Sequence, residues 1–173
     1  MKHIFIIVII SFLSFYSFSQ PINEDKSKVL FEIGNFKINT VEGTFHGMQG
    51  KVNFNPNDLV NSEFDVCIDA STANTGNNSR DKHLRGEDFF NVKVYPEICI
   101  KVNSIEKLNG KYMAESELTM LGVTRSVDIP FVYENNTLTG TFEVKRLDFG
   151  LGKDTGTFTV SNEVEITIVC VLK

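Results

Sequence analysis

The sequence predicts an all-β fold: an eight-stranded antiparallel barrel with one short helical insert between strands three and four. Three observations carry this reading. Apolar residues recur at every second position in segment after segment, the period of a half-buried strand. Tight polar turns such as Asn109-Gly110 and Asn135-Asn136 join the segments, which makes neighbours antiparallel. The alternation fails at length only once, from Ala70 to Pro96, and a connection that long needs structure of its own. Consecutive antiparallel strands in this number can close into an up-and-down barrel.

The first strand is predicted over Ser27 to Asn35. Val29, Phe31 and Ile33 share one face, Lys28 and Glu32 the other, and Leu30 breaks the pattern without destroying it. The second runs from Asn39 to Asn55, with Val41, Gly43 and Phe45 followed by Val52 and Phe54. Gly47 and Gly50 lie between and predict a bulge or sharp bend in one long strand. Asn55-Pro56-Asn57-Asp58 is a turn. The third strand alternates Phe64, Val66 and Ile68 with Glu63, Asp65, Cys67 and Asp69.

The insert follows. Ser71 to Asn78 is loop by composition, and Ser79 is read as a helix N-cap. Asp81 and Arg85 stand at the i, i+4 spacing that supports a short exposed helix. Gly86 is read as its stop, and Glu87 to Asn91 as one further helical turn.

Alternation resumes with Ile98, Ile100 and Val102 in the fourth strand, Cys99 and Lys101 facing away. Tyr112, Ala114, Ser116, Leu118 and Met120 take one face of the fifth, and Gly122 marks a turn or bulge. Val127, Ile129 and Phe131 continue in the sixth, where Pro130 marks an edge or a strand end. Leu138, Gly140, Phe142 and Val144 form the seventh. A glycine-rich connection from Arg146 to Gly156 leads to the eighth, with Val164, Ile166, Ile168 and Cys170 on one face.

Residues 1–19 read as a cleavable secretory signal. Lys2 and His3 precede the apolar run Ile4 to Leu13, and Ser17-Phe18-Ser19 supplies small residues at the cleavage positions. The expected location is the periplasm or the exterior, with residues 20–173 as one soluble domain. The full chain carries 17 basic and 22 acidic residues. Losing Lys2 makes the net charge −6, which with no basic run argues against a nucleic-acid partner. Cys67, Cys99 and Cys170 sit inside strand patterns, none at metal-ligand spacing. They read as three small buried hydrophobes, with Cys67–Cys99 the pair to test for a bridge in an oxidising compartment.

The inward faces contain almost no polar atom. Phe31, Ile33, Phe54, Phe64, Val66, Ile68, Ile98, Ile100, Leu118, Met120, Ile129, Phe131, Phe142, Ile166 and Ile168 are the candidate lining of an apolar tunnel, with Val52, Val127 and Val164 on the same faces. A barrel of this size is either filled by such side chains or holds one small ligand, and the pattern leaves both open. Catalytic chemistry is sparse. His46 lies beside the glycine bend as a surface turn residue. His83 stands near Arg80, Asp81, Arg85 and Asp88, the one cluster with acid–base potential, read chiefly as a charged fastening of the insert to the barrel. No phosphate-binding glycine loop is present, and Gly150, Gly152 and Gly156 precede a strand, not a helix.

Arg80-Asp81-Lys82-His83-Leu84-Arg85-Gly86-Glu87-Asp88-Phe89-Phe90, with Tyr95-Pro96 beyond it, resembles the R-D-x-H-L-R-S-x-D-F-F … Y-P signature of the YceI-like family. Leu118 to Thr124 is similar to that family's L-T-x-x-G-V-T turn, and Arg146 to Gly150 to its R-x-D-F-G segment. Lys26, Asn35, Gly86 and Asn91 depart from residues frequent there, two histidines, a serine and an aspartate. The resemblance implies an exported, lipocalin-like barrel that binds a long isoprenoid or similar amphiphile, without catalysis or cofactor. Leu84, Phe89 and Phe90 of the insert then close or line one end of the tunnel. The partner expected is a hydrophobic lipid, with a homodimer and a transient contact with an envelope membrane left open. Two alternatives stand beside it: an enzyme using His83 with Asp81 or Asp88 on a lipid-like substrate, and a filled barrel acting as an envelope interaction module.

Overall fold

The computed structural model describes residues 19–36 and 38–173. The predicted signal segment lies outside the described residues but for Ser19. Nine antiparallel strands form one sheet: β1 (Lys28–Asn35), β2 (Asn39–Phe45), β3 (Gln49–Asn53), β4 (Glu63–Asp69), β5 (Glu97–Leu108), β6 (Lys111–Met120), β7 (Val123–Glu134), β8 (Thr137–Lys145) and β9 (Val160–Val171). Among the described residues one α-helix, α1 (Asn78–Leu84), lies between β4 and β5, and short 3-10 turns occupy Ala70–Thr72 and Arg146–Phe149.

The strand order is β2-β1-β9-β8-β7-β6-β5-β4-β3. Its two ends are neighbours in sequence, so the sheet curls until β2 and β3 meet at His46–Met48. The expected second strand is therefore two strands, and nine replace eight. Gly47, at φ 72°, makes the break, and Met48 turns inward at 1% exposure. Gly50 follows at φ 129°, where a Cβ would collide with the Asp65 carbonyl of β4. The bend lets one half of the predicted strand pair with β1 and the other with β4, which brings the two edges of the curled sheet together.

Asn109-Gly110 and Asn135-Asn136 turn with positive φ at both residues, as two-residue hairpins require. Pro130 lies inside β7, not at its end. Pairing of β7 with β8 begins only at Phe131↔Gly140, so the edge character that proline demands is local. The 36–38, 70–96, 121–122 and 146–159 connections share one end of the barrel. The chain termini and the 54–62, 109–110 and 135–136 turns share the other.

The insert differs from its predicted details. Asn77, not Ser79, caps α1: its backbone is extended and its side chain accepts from the Arg80 N–H at 3.1 Å. Residues 85–91 are successive turns rather than further helix. Among the described residues no helix is long and apolar enough to cross a membrane.

Candidate functional site: an apolar cavity with one guarded mouth

The barrel interior is divided along its axis. One half is filled by rings. Phe54 stands at the centre, with ring centroids of Tyr133 at 5.0 Å, Tyr112 at 5.1 Å, Phe131 at 5.6 Å and Phe64 at 5.8 Å. Tyr112 and Phe131 stack on each other at 5.1 Å. Edge-to-face and stacked pairs of this kind add about 0.5–1.5 kcal/mol each beyond burial. This plug closes the end that holds the chain termini.

The other half holds a cavity of about 360 Å³. That lies within the range of small-molecule sites, roughly 300–1,000 Å³. Its walls come from β1, β2, β4, β5, β6, β8 and β9 together with α1 and the turns after it. Of the predicted lining, Phe31, Ile33, Val66, Ile68, Ile98, Ile100, Leu118, Met120, Phe142, Ile166 and Ile168 border it, as do Leu84, Phe89 and Phe90 of the insert. Phe54, Phe64 and Phe131 lie in the plug instead. Ile129 borders a separate void of about 60 Å³ beside Phe64 and Phe131. Several inward residues, Ile33, Val66, Ile98, Ile100, Ile166 and Ile168, are only half-buried. They pack against the core on one side and border the cavity on the other.

The mouth is shaped by two polar devices. The first fastens the insert. Asp81, 5% exposed, accepts from the Thr75 hydroxyl at 2.6 Å and the Thr75 N–H at 2.8 Å. The Thr75 hydroxyl bond is the main reason its carboxyl lies below the usual range. Burial opposes that, while the Thr75 N–H and the charges of Arg85 and Arg80 reinforce it. Arg80 donates to the Thr75 hydroxyl and carbonyl at 2.8 and 3.1 Å, and Arg85 to the Ser71 and Ala73 carbonyls at 2.6 Å each. The fastening, expected as a charged cluster, is thus made chiefly of hydrogen bonds from Arg80, Asp81 and Arg85 to residues 71–75, with the charges of Arg85 and Arg80 acting on Asp81 besides. Phe90 then packs edge-on against Phe45 at 5.2 Å, seating the insert on β2.

The second device is Arg146, which sequence reasoning did not single out as a site residue. It is 1% exposed. Its Nε and Nη atoms donate to five backbone carbonyls, those of Ser161, Leu151, Gly152, Thr155 and Val160, at 2.7–3.0 Å. These bonds use all five guanidinium donors and wrap the 151–161 segment around one side chain. Burial lowers its pKa from the ordinary guanidinium value, yet arginine stays charged. Phe89 lies against this segment, where a Cβ on Gly152 would come within 2.7 Å of the ring. Insert and loop so meet over the mouth. The loop's contribution was hard to read because it offers glycines and polar residues with no period.

His83 borders the mouth but is 61% exposed in its side chain, as is Asp88 at 75%; their nearest atoms are 3.3 Å apart. Asp81 is spent on Thr75 and does not face His83's partner. Phe89 packs edge-on against the His83 ring at 5.0 Å, and Asp88 is the acidic partner of His83 among the described residues.

Asn35 borders the mouth as well, and its Oδ1 is buried without a hydrogen-bond partner. Cys67 and Cys99 form a disulfide on the outward face of β4 and β5, overturning the reading of three free buried thiols. Register explains it, since the two cysteines are direct cross-strand partners. Glu97 lies within metal-ligand reach of both sulfurs, but the bridge consumes them as ligands, and Glu97 accepts from Gln49 at 3.0 Å. Cys170 remains free and buried, and burial pushes its thiol up to about 11 against a partial offset from a Ser27 hydrogen bond.

Comparison with known proteins agrees with this architecture. The family model described as YceI-like domain matches residues 21–172. The protein YceI of Escherichia coli O6:H1 is 27% identical over 150 residues, covering 81% of this chain and 78% of that protein. A UPF0312 protein of Photorhabdus laumondii is 32% identical over 97 residues, which span 56% of this chain and half the length of that relative (50%). Among solved structures, BcnA of Burkholderia cenocepacia superposes with a TM-score of 0.78 at 26% identity, covering 86% of this chain and 98% of BcnA. A polyisoprenoid-binding domain from Saccharophagus degradans superposes at 0.68 with 15% identity, covering 88% and 96% of the two chains, a likeness of fold alone.

Proposed function

The chain belongs to the YceI-like family, and from that premise we propose that it binds and carries a long apolar amphiphile in its barrel, without catalysing a reaction. The observation that carries this is the division of the interior. A barrel packed throughout would be a scaffold, but this one is packed only behind Phe54 and open in front of it. An apolar chain entering from the mouth lies along Phe31, Ile100, Phe142 and Ile168 and stops at the plug. Each CH₂ it buries contributes about 0.8 kcal/mol, so a chain of ten or so carbons supplies enough energy for stable retention. The polar end stays at the mouth, near Arg80, His83 and the Arg146 loop.

Polyisoprenoid and quinone-like lipids are the class we infer. A protein of the same fold is a polyisoprenoid-binding domain, and branched, unsaturated chains suit a wall rich in phenylalanine and β-branched residues. We further propose the periplasm as the compartment, supported by the apolar N-terminal run and by a disulfide that an oxidising environment maintains.

Native mass spectrometry of gently purified protein tests the proposal. Bound lipid, removable by organic extraction and restored by a long-chain prenol, is expected. Protein that carries no lipid and takes up none after extraction overturns it.

A further inference from the structure

We infer that the barrel measures its ligand: it takes one apolar chain of about fifteen carbons, whose free end fills the small void in front of the aromatic plug. This rests on the carrier reading and adds to it the length of chain that the site accepts.

The two voids lie end to end. Val66, Ile100 and Ile168 border both of them. These residues come from β4, β5 and β9, and Val66 and Ile100 are direct cross-strand partners. From each, the next inward residue toward the mouth borders the large cavity alone: Ile68, Ile98 and Ile166. The next inward residue the other way borders the small void alone: Phe64, Val102 and Cys170. On β8 the same step leads from Phe142 in the cavity wall to Gly140 in the small void. The strands therefore carry the interior past a neck at Val66, Ile100 and Ile168 into an inner chamber.

That chamber has a floor. Phe64 and Phe131 line it with ring centroids 5.9 Å apart, and Phe54 packs on both, at 5.8 and 5.6 Å. Its room exists because two inward positions carry little or no side chain. Ala114 is 2% exposed and Gly140 is buried, and both border the chamber. A chain end that reaches Phe131 goes no deeper without parting packed rings, and close-packed interiors resist that.

Volume converts this geometry into length. An apolar cavity of about 150 Å³ takes up benzene, so about 25 Å³ serves each carbon. By that measure the cavity of about 360 Å³ holds roughly fourteen carbons. The inner chamber of about 60 Å³ holds two or three more, about the size of a branched chain end. A longer chain leaves its excess in water at the mouth, where it adds nothing to binding. The shared chemistry is one apolar chain with a small polar head, and its source is either a prenyl chain of three isoprene units or an acyl chain of matching length.

A length series tests this. Lipid-extracted protein is offered geraniol, farnesol, geranylgeraniol or solanesol, and separately straight-chain alcohols from decanol to eicosanol. Native mass spectrometry at graded concentrations gives each affinity. Every carbon that the barrel buries should tighten binding by roughly fourfold, and the gain should stop near sixteen carbons. A break in the prenol series alone assigns an isoprenoid source, and in the alcohol series alone an acyl source; either supports the ruler. Ala114→Val fills the inner chamber and should move the break down by about two carbons. Phe131→Leu lowers the floor and should move it up, so the two variants shift it in opposite directions. Thermal melts confirm that each variant is folded. Affinity that climbs steadily through geranylgeraniol to solanesol overturns the ruler and leaves the carrier reading standing. So does a break that stays in place in both folded variants. Protein that binds no alcohol of any length sinks the carrier reading, and the ruler with it.

Discussion

Cys67 and Cys99 face each other in register across β4 and β5, with Cα atoms 4.0 Å apart and sulfurs bonded. The bridge closes a loop spanning a sequence separation of 32 that contains the whole insert. It ties the two strands from which the mouth's largest connection springs. Limiting the unfolded chain in this way stabilises the fold by about 3 kcal/mol. Cys67→Ser with Cys99→Ser should lower the urea-unfolding free energy by that order. Thiol titration should find no reactive group in the native protein, one after unfolding, and three after unfolding with reductant. Two reactive thiols without reductant would contradict the pairing.

Asp81 makes acid stability depend on the insert. Its folded pKa is depressed, chiefly by the Thr75 hydroxyl bond, so its contribution is present above the unfolded carboxylate pKa of about 3.9. The contribution is lost as pH falls through the lower folded value. Asp81→Asn should therefore be less stable than wild type at neutral pH, and the gap should narrow toward pH ~3. Urea midpoints across that range measure it. A gap that widens on acidification would show that the carboxylate is not the stabilising form.

Arg146 should tolerate neither of its usual replacements. Lysine has three donors where five carbonyls need them, so Arg146→Lys strands at least two buried acceptors. The expected cost is about 2 kcal/mol or more, and Arg146→Met should cost more again. Proteolysis within residues 150–160 should quicken in both. Equal stability of Arg146→Lys and wild type would refute the five-carbonyl account.

Plug and wall should answer to opposite changes. Phe131→Ala removes a ring from a packed cluster and should cost about 3–5 kcal/mol. Ile98→Phe adds atoms where the cavity has room, so it should escape most of the ~1–3 kcal/mol overpacking penalty. The same variant should hold less lipid. Thermal melts and native mass spectrometry read the two effects separately.

His83→Ala should leave stability unchanged, because its side chain and that of Asp88 are largely in water, so that any effect falls on lipid occupancy at the mouth. A marked loss of occupancy with stability intact would assign His83 a direct role at the ligand's polar end.

Much of this was legible in the residues. Alternation at period two fixes which side chains face inward, and Ile98, Ile100, Val164 and Phe142 all do. Asn-Gly and Asn-Asn announce their hairpins because positive φ suits those residues. The insert betrays itself by interrupting the pattern. What stayed hidden depended on partners distant in sequence. Ser79 is a chemically competent cap, but Asn77 is the residue placed to accept from the Arg80 N–H. Arg146 gave no sign that backbone carbonyls alone would satisfy it.

By itself the sequence determined the strand faces, the hairpins, the bend at Gly47 and the family. Each follows from local chemistry or from residues adjacent along the chain. Tertiary structure alone decided where the barrel is full and where it is empty. Phe54 and Phe31 have the same inward period, yet one is the centre of a plug and the other a cavity wall. Period two gives a side chain's face but not which rings from other strands meet it at the same depth. Packing is settled only when Phe64, Tyr112, Phe131 and Tyr133 converge on Phe54 from strands far apart in the chain.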